Sequence, residues 1–221
     1  MARRAGDSTR VRRQPDRAHY DRGTIDAVLD AVLLAHVAFV EDGQPIAIPM
    51  LQARVGDRVL IHGSTASRAM RLLGAGAPAC VTVTALDGLV LARSAFEHSA
   101  NYRSVLLLGR FREITGEMER RNAFEALTNK LVAGRWDEVR RPSPKEMKAS
   151  TILAMSIENA SAKVRTGPPS DDAGPDAELD TWAGELPIVS GFGAPIAAPG
   201  LKSGIPLSRS IRLLYEPKER T

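Results

Sequence analysis

The sequence predicts a mainly β protein of the α+β class, a six-stranded antiparallel barrel with flanking helices and an irregular C-terminal arm. Extended runs follow one another through two-residue turns such as Asp42-Gly43, and helical periodicity is confined to three segments. Both observations predict the barrel. Residues 166–206 hold seven glycines and seven of the 14 prolines, which regular helix or sheet does not tolerate, and this predicts the arm.

The positive charge of the chain is confined to its first segment. The 221 residues carry a net charge of +4, and residues 1–22 contain seven arginines against three aspartates, so the remainder is balanced. A nucleic-acid-binding groove would place its basic residues in the folded body. We therefore expect residues 1–22 to form a mobile basic arm, and we expect no nucleic-acid partner.

Cysteine and histidine content argues against several kinds of site. The single cysteine, Cys80, rules out an internal disulfide framework and a multi-thiolate metal site, and it fits a reducing compartment. The four histidines lack the paired spacing of metal ligands, so no metal is expected.

The longest apolar run, residues 31–40, is too short to span a bilayer, and no signal peptide is recognisable. We expect a cytoplasmic protein without a membrane partner.

The first ordered element is an amphipathic helix. Thr24 is a suitable N-cap, and apolar residues follow at helical spacing while Asp26 and Asp30 lie on the opposite face. The apolar positions are Ile25, Val28, Leu29, Val32 and Leu33. This helix should pack one face against the barrel.

Three strands then follow in hairpin order. They are expected at residues 36–41, 44–55 and 58–62, separated by the turns Asp42-Gly43 and Gly56-Asp57. The second strand carries Pro45 and Pro49. Because proline lacks the N–H that a central strand needs, this strand should have a free edge, a bulge or a ligand beside it.

The other three strands come later in the chain. Residues 78–86 alternate apolar and polar side chains, and Asp87-Gly88 predicts a third tight turn into residues 89–93. The fifth and sixth strands are expected at residues 102–115 and 151–158.

Two further helices interrupt the strands. A short helix is expected at residues 67–73, capped by Ser64 or Thr65, and a longer one at residues 116–132, capped by Thr115. The longer helix should bury a stripe formed by Met118, Phe124, Leu127 and Leu131.

The chain divides into the basic arm (1–22), the barrel (23–165) and a Gly/Pro-rich extension (166–221). Large apolar residues interrupt the extension, namely Trp182, Leu186, Ile188, Val189 and Phe192. Because a solvated linker does not carry such residues, the extension should pack on the barrel or on a second subunit. A disordered tail is the alternative.

Residues 60–73 carry the groups best suited to ligand chemistry. A strand ends at His62, Gly63 leaves room for a backbone or a ligand, and hydroxyl groups precede Arg68 at a helix start. The hydroxyl groups belong to Ser64, Thr65 and Ser67. Free N–H groups, hydroxyls and a guanidinium suit a phosphate dianion. Ordinary N-capping by the same hydroxyls is the alternative.

Other residues and motifs are weaker candidates for catalysis or ligand binding. A histidine at a strand end, such as His62, is more often structural than catalytic, so no residue is assigned acid–base work. The sequence lacks a Gly-x-Ser-x-Gly elbow and the glycine patterns of dinucleotide-binding and P-loop sites. Arg103 and Ser104 could present a second cation and hydroxyl to an anion, or simply begin a strand.

Six segments follow one another in a recognisable order: residues 36–49, Ile61-His62-Gly63, Ser67-Arg68, and residues 102–110, 161–169 and 182–187. Together they resemble the pyridoxamine 5′-phosphate oxidase-like flavin-binding split barrels. The most similar branch is that of flavin-nucleotide-binding proteins related to nitroimidazole-resistance reductases. The resemblance spans roughly residues 20–190.

This resemblance implies a homodimer that holds FMN at its interface. It implies a cofactor site made of Ile48, Pro49 and Met50 against the ring, His62, Gly63 and Ser64 nearby, Ser67 and Arg68 on the phosphate, and Arg103 and Ser104 from either chain. Ala69 departs from the branch, whose members often have lysine there, so the phosphate has one cation fewer. F420 and FAD are less favoured cofactors, and the histidine pattern makes haem the least favoured.

The function that the resemblance implies is an FMN-dependent oxidoreductase acting on a small aromatic or nitro-bearing molecule, with NAD(P)H as a candidate electron donor. One alternative is a flavin-binding module without turnover, serving sensing or storage. The other is an F420-dependent reductase on the same fold.

Overall fold

The computed structural model describes residues 8–171 and 173–215, with the side chain of Tyr215 left out. The strands in this part of the chain are β1 (Ala18–His19), β2 (Leu34–Glu41), β3 (Gln44–Val55), β4 (Arg58–Ser64), β5 (Pro78–Leu91), β6 (Ser99–Arg110), β7 (Arg112–Glu113), β8 (Ser150–Ser156), β9 (Ala160–Arg165) and β10 (Gly184–Pro187). The helices are α1 (Arg22–Ala31), α2 (Arg68–Gly74), α3 (Glu117–Leu131), α4 (Pro144–Ala149) and α5 (Arg209–Tyr215). Short 3-10 helices occupy Pro15–Arg17, Arg135–Glu138 and Pro175–Glu178.

The strands form one antiparallel sheet in the order β1-β9-β6-β5-β2-β3-β4-β8-β7, with β10 paired to β5. The predicted antiparallel class is confirmed, but ten strands stand among the described residues where six were expected. The additional strands β1, β7, β9 and β10 have two to six residues each. Runs this short leave too little alternation to be recognised in a sequence.

Two predicted turns form as expected, and a third does not. Asp42 and Gly43 have φ of 49° and 78°, the pair of positive values that a type I′ hairpin turn requires. At Asp87-Gly88 the chain does not turn: β5 continues through a bulge between Leu86 and Gly88. A Cβ on Gly88 would lie 3.1 Å from the Leu186 carbonyl oxygen, so this glycine admits β10 rather than a turn.

The helices lie where predicted, with different caps. Asp21 caps α1, its Oδ1 accepting from the Thr24 N–H at 2.8 Å, so Thr24 is the third helical residue and not the cap. Gly116 precedes α3 without a side-chain cap, and Thr115 is not the cap. The predicted stripe of α3 is partly wrong, because Met118 and Leu131 are exposed.

The sheet has a main core on its inner face and a second one on its outer face. The main core combines side chains of β2, β4, β5, β6 and β8 with those of α1 and α2. The second core lies under α3, where Leu127 and Ala123 pack on Leu60 of β4 and Ile152 of β8. In consequence β4 and β8 are covered on both faces, which fixes the strand that leads to α2.

Helix α1 is fastened to the sheet at its C-terminal end. Gln52 of β3, fully buried, donates through Nε2 to the carbonyl oxygens of Leu29 (2.7 Å) and Val32 (2.6 Å). Lys130 of α3 donates to the Leu29 carbonyl at 3.0 Å, and burial lowers the pKa of this lysine. These bonds satisfy carbonyls that a helix end leaves open.

The terminal segments are partly tied to the sheet. In the predicted basic arm, Ala18 and His19 pair with β9, while residues 1–7 lie outside the described part of the chain. In the extension, β10 pairs with β5. Among the described residues, no helix is both long and apolar enough to cross a membrane.

Candidate functional site

Strand β3 belongs to two ladders, and the point where it passes from one to the other defines the site. Residues 44–51 pair with β2, and residues 52–55 pair with β4. Before Gln52, the edge of β3 that faces β4 has no partner strand in the described structure. The prolines at 45 and 49 lie in this half, so the predicted free edge is confirmed.

Strand β4 diverges from β3 at the same place. Its pairing with β3 ends at Ile61, whereas its other edge stays paired with β8 as far as Ser64. Residues 48–50 of β3 and residues 62–64 of β4 therefore face each other across a gap, which we call the site cleft. On the β3 side this edge offers the Pro49 carbonyl but no N–H, because proline has none, and a carbonyl in such a place needs a partner.

Alternation along the strands decides which predicted residues turn outward. Ile48 and Met50 are half-buried and pack against the main core, whereas Pro49 is exposed on the outer face. His36 is exposed and stands opposite Pro49 in the β2–β3 ladder. His62 follows Ile61, the last partner of β3, and its side chain lies on the same side of β4 as Leu60 of the outer core. Two histidines therefore lie on the outer face, on either side of β3.

His62 is the half-buried titratable group of the cleft. Its Nδ1 is buried and has no hydrogen-bond partner among the described residues. Burial lowers the pKa of His62 below its ordinary value of 6.5, because the charged form loses hydration. The imidazole is therefore neutral at pH 7, with a nitrogen lone pair or N–H available to a ligand.

Gly63 has a packing role on one face of β4, and its expected position near a flavin ring stays a prediction. A Cβ at this position would lie 2.8 Å from Cγ of Met70, a buried residue of α2. The glycine thus admits the α2 side chain against β4. Its effect on the site is indirect, since it sets how closely the start of α2 approaches the cleft.

The hydroxyls of the β4–α2 turn mainly cap backbone groups. Ser67 is the N-cap of α2 and its Oγ accepts from the Met70 N–H at 3.5 Å, a long bond. Ser64 Oγ accepts from the Ala66 N–H at 3.2 Å. The capping alternative is therefore present. Each hydroxyl keeps its own proton to donate to an anion.

Arg68 stands at the first position of α2 and reaches back to the β2–β3 hairpin. Its Nε lies 3.0 Å from Oε2 of Glu41, the last residue of β2. The arginine side chain is 71% exposed, while that of Glu41 is 14% exposed. The contact holds the guanidinium beside the β2–β3 hairpin, and its terminal amino groups have no partner among the described residues, so they can bind an anion.

Arg103 and Ser104 do not join this cleft within one chain. They lie on β6, separated from β3 by β5 and β2, which is about 14 Å across the sheet. Arg103 makes a two-bond contact to Asp87 (2.9 and 2.7 Å), which lowers the pKa of that carboxyl. Ser104 donates to the Lys163 carbonyl at 3.3 Å.

A cavity of about 750 Å³ adjoins the turn that follows the cleft. Thr65, the residue after Ser64, contributes to its wall. Its charged lining has four cationic side chains, those of Arg120, Arg121, Arg141 and Lys148, against two carboxylates, those of Glu113 and Glu117, and the Trp136 ring also lines it. Arg141 stacks on the Trp136 ring at 4.3 Å from its centroid. The cavity suits an anionic ligand of nucleotide size.

Two residues of β2, outside the cleft itself, escape sequence reasoning, His36 and Glu41. His36 lies 26 positions before His62, so no short spacing links them, and only the register of β2 with β3 brings both to one face. Glu41 immediately precedes the Asp42-Gly43 turn and looks like an exposed hairpin residue. Among the described residues, no group of three or more His, Cys, Asp or Glu is arranged to hold a metal ion.

Comparison with known proteins gives consistent results. A family model described as pyridoxamine 5′-phosphate oxidase matches residues 21–164. The structure of the FAD and heme binding protein from Mycobacterium smegmatis is 44% identical, with a TM-score of 0.85 over 90% of this chain and 97% of that one. The flavocytochrome Anf3 from Azotobacter vinelandii is 39% identical, with a TM-score of 0.88 over 94% and 96%. A search of curated proteins found no match.

Proposed function

The chain belongs to the pyridoxamine 5′-phosphate oxidase family, as its sequence segments indicated, and we propose that it binds a flavin in the site cleft. The observation that carries this proposal is the open edge of β3 at Ile48–Met50 facing His62–Ser64. The Pro49 carbonyl on this edge can accept a hydrogen bond from a flavin ring N–H. The likeness to an FAD- and haem-binding protein over nine-tenths of the chain supports it.

Arg68 and the turn hydroxyls fit the flavin phosphate. The guanidinium is exposed, and its recorded contact to Glu41 uses Nε, so both amino groups can donate. Ser64 and Ser67 add hydroxyl donors within the same turn. The seven-residue helix α2 contributes little by itself, and Ala69 supplies no second cation. Phosphate binding therefore depends mainly on Arg68.

The flavin we propose is FAD rather than the FMN that the sequence led us to expect. FMN needs one phosphate site, whereas FAD also needs room for an adenine nucleotide. The cavity beside Thr65 offers that room, together with cationic side chains and the Trp136 ring. The two similar structures are described as an FAD- and haem-binding protein and a flavocytochrome, which favours the larger flavin.

Haem is a second candidate ligand, contrary to the expectation from histidine spacing. The observation that favours it is the pair His36 and His62 on the outer face, flanking β3. A neutral imidazole is the form that binds haem iron, and burial keeps His62 neutral. Haem supplies one-electron chemistry when bound. His62 would hold the iron, and His36 would lie across β3 from it.

We propose that the reaction is an oxidation or reduction of a small molecule, with NAD(P)H as electron donor. The flavin supplies the electron chemistry, while the cleft positions it and excludes water. A flavin-binding protein without turnover, and an F420-dependent reductase, remain the alternatives. If Arg103 and Ser104 contribute to the cleft, they must come from a second copy of the chain, because within one chain they lie too far away.

The test is to identify the cofactor released when the purified protein is denatured. We expect FAD, with a haem absorption band if His36 and His62 bind iron. Release of FMN would overturn the FAD assignment and leave the flavin site. A colourless protein that takes up neither FAD nor FMN would overturn the proposal. Bleaching of the bound flavin by NADH or NADPH separates an oxidoreductase from a storage or sensing protein.

The phosphate assignment is tested with Arg68→Ala. We expect at least about a tenfold weaker flavin affinity, because a charge-assisted bond is lost. Arg71→Ala is the matched control, since Arg71 lies one turn further along α2 and is also exposed. Equal flavin affinity in the two variants would contradict the assignment.

A further inference from the structure

Residues 188–207, which we call the exposed arm, carry apolar side chains that are exposed in the described part of the chain. All of these residues are exposed. Val189 is 86% exposed, Phe192 62% and Ile196 96%. Lys202 is the one charged residue of the segment. Solvated linkers are rich in charged and polar residues, so this composition is typical of a segment that packs against protein.

Both ends of the exposed arm are fixed to the chain that carries them. At its start, β10 pairs with β5, and the Ile188 N–H donates to the Asp87 carbonyl at 2.9 Å. Just beyond its end, the Ser210 N–H donates to Oε1 of Glu138 at 2.8 Å. Hydrogen bonds from Ser210 lower the pKa of Glu138 to about 2. The arm is therefore held at two places with its apolar middle facing solvent.

The outer face of the sheet carries a groove of matching chemistry. It has a volume of about 530 Å³ and lies where β2, β3, β5 and β6 meet. Its apolar lining includes Ala38, Val40, Pro45, Pro78, Cys80 and Leu108. The charged lining residue Arg110 already donates to the Gly76 carbonyl. None of the described residues lining the groove belongs to the exposed arm, so one chain leaves both surfaces uncovered.

We infer that the exposed arm of one copy lies in the apolar groove of a second copy, and reciprocally, in a two-fold symmetric dimer. A symmetric pair covers both surfaces twice with the same contacts. Lys202 of the arm and Arg110 of the groove are the charged side chains at the contact, and the rest of both surfaces is apolar or uncharged. The inference rests on the homodimer of the proposed function and adds the surfaces that form it.

This arrangement also bears on the site cleft. Pro45 lines the groove, and Pro49 lies four residues further along the same outward-facing side of β3. An arm seated in the groove therefore continues toward the cleft. The second copy would close the open side of the cleft with an apolar segment and exclude water from the bound cofactor.

Sedimentation of the full chain tests the arm directly. The parent should be a dimer, and Val189→Asp/Ile196→Asp should dimerise about 100-fold more weakly, because each aspartate must be buried without a partner. Phe96→Asp is the matched control, since Phe96 is 91% exposed outside the arm. A fully dimeric double variant would overturn the arm–groove contact while leaving the homodimer in place. A monomeric parent would overturn both, and flavin absorbance in the same runs reports on the cofactor separately.

The lone cysteine gives a second test. Cys80 lies in the groove, so a cysteine introduced in the arm should be joined to it by a short bismaleimide reagent, giving a covalent dimer. The arm variants are Val189→Cys, Phe192→Cys and Ile196→Cys, and Phe96→Cys is the control. We expect at least one arm variant to give a dimer band that Cys80→Ser abolishes. Links within one chain, or yields no higher than the control, would overturn the inference.

Discussion

The two ends of the sheet use arginine in opposite ways. Beside the extension, Arg165 is buried and donates to the side chain of Asn101 and to the carbonyls of Gly167 (2.9 Å) and Pro168 (3.0 Å). Beside the site cleft, Arg68 is 71% exposed and contacts Glu41 through Nε. Both residues are arginines, yet Arg165 donates to backbone carbonyls, whereas Arg68 is exposed and accessible to a ligand. The difference between them is the number of guanidinium N–H groups that already bond to other residues of the chain.

The largest effect should follow from removing the buried arginine. Arg165→Met leaves the buried amide oxygen of Asn101 and two partly buried carbonyls without this donor, so we expect a loss of about 3 kcal/mol in the free energy of unfolding. Urea denaturation measures it. Arg68→Met, the counterpart at the cleft, should change stability by less than about 0.5 kcal/mol. Equal losses of stability in the two variants would contradict the different roles assigned to Arg165 and Arg68.

A smaller loss of stability is expected when a packed glycine, rather than an exposed one, is replaced by alanine. Gly63→Ala places a Cβ 2.8 Å from Met70 Cγ, and the overpacking should cost about 2 kcal/mol and weaken flavin affinity by moving α2. Gly191→Ala in the exposed arm meets no atom within 4 Å and should be neutral in the isolated chain. Thermal unfolding of both variants checks the pair. A neutral Gly63→Ala would show that α2 is not held against β4.

The smallest effect concerns pH at the cleft. Because burial lowers the pKa of His62 in the folded state, the unfolded chain takes up this proton first as pH falls below 6.5. Stability is therefore full above pH 6.5 and declines as pH falls through the interval between the two pKa values. In His62→Gln that part of the decline should disappear, and His98→Gln controls for loss of an exposed histidine. Urea titrations at pH 7.5 and 5.5 compare the three, and parallel declines would contradict the assignment.

Local signals predicted the parts of the fold that depend on neighbours in sequence. The hairpin at Asp42-Gly43 and the extent of β3 follow from turn chemistry and alternation. The turn predicted at Asp87-Gly88 does not form, because Gly88 allows a close contact with Leu186, almost a hundred residues away in sequence. The prediction that Met118 and Leu131 are buried was wrong, because α3 covers only a narrow strip of the sheet and both residues are exposed.

The candidate site was predicted in the same uneven way. Residues 62–68 are contiguous in sequence, so the strand end, the turn and the helix start that carry them follow from local signals. The opposing edge of β3 was anticipated from Pro45 and Pro49, which cannot donate to a second strand. The outward position of His36, the reach of Arg68 to Glu41 and the separation of Arg103 all depend on strand order. No spacing in the sequence encodes that order.

The pairing of β4 with β8 has a consequence for how the chain is made. Arg58 pairs with Ser156 and Ser64 with Ser150, so the strand bearing His62 waits for a partner synthesised roughly 90 residues later. Contacts so distant in sequence form slowly. Until then β4 presents an open, apolar edge to other nascent chains. The wall of the cleft is therefore among the last parts to mature, and the growing polypeptide should be most prone to aggregate before residue 150 has left the ribosome.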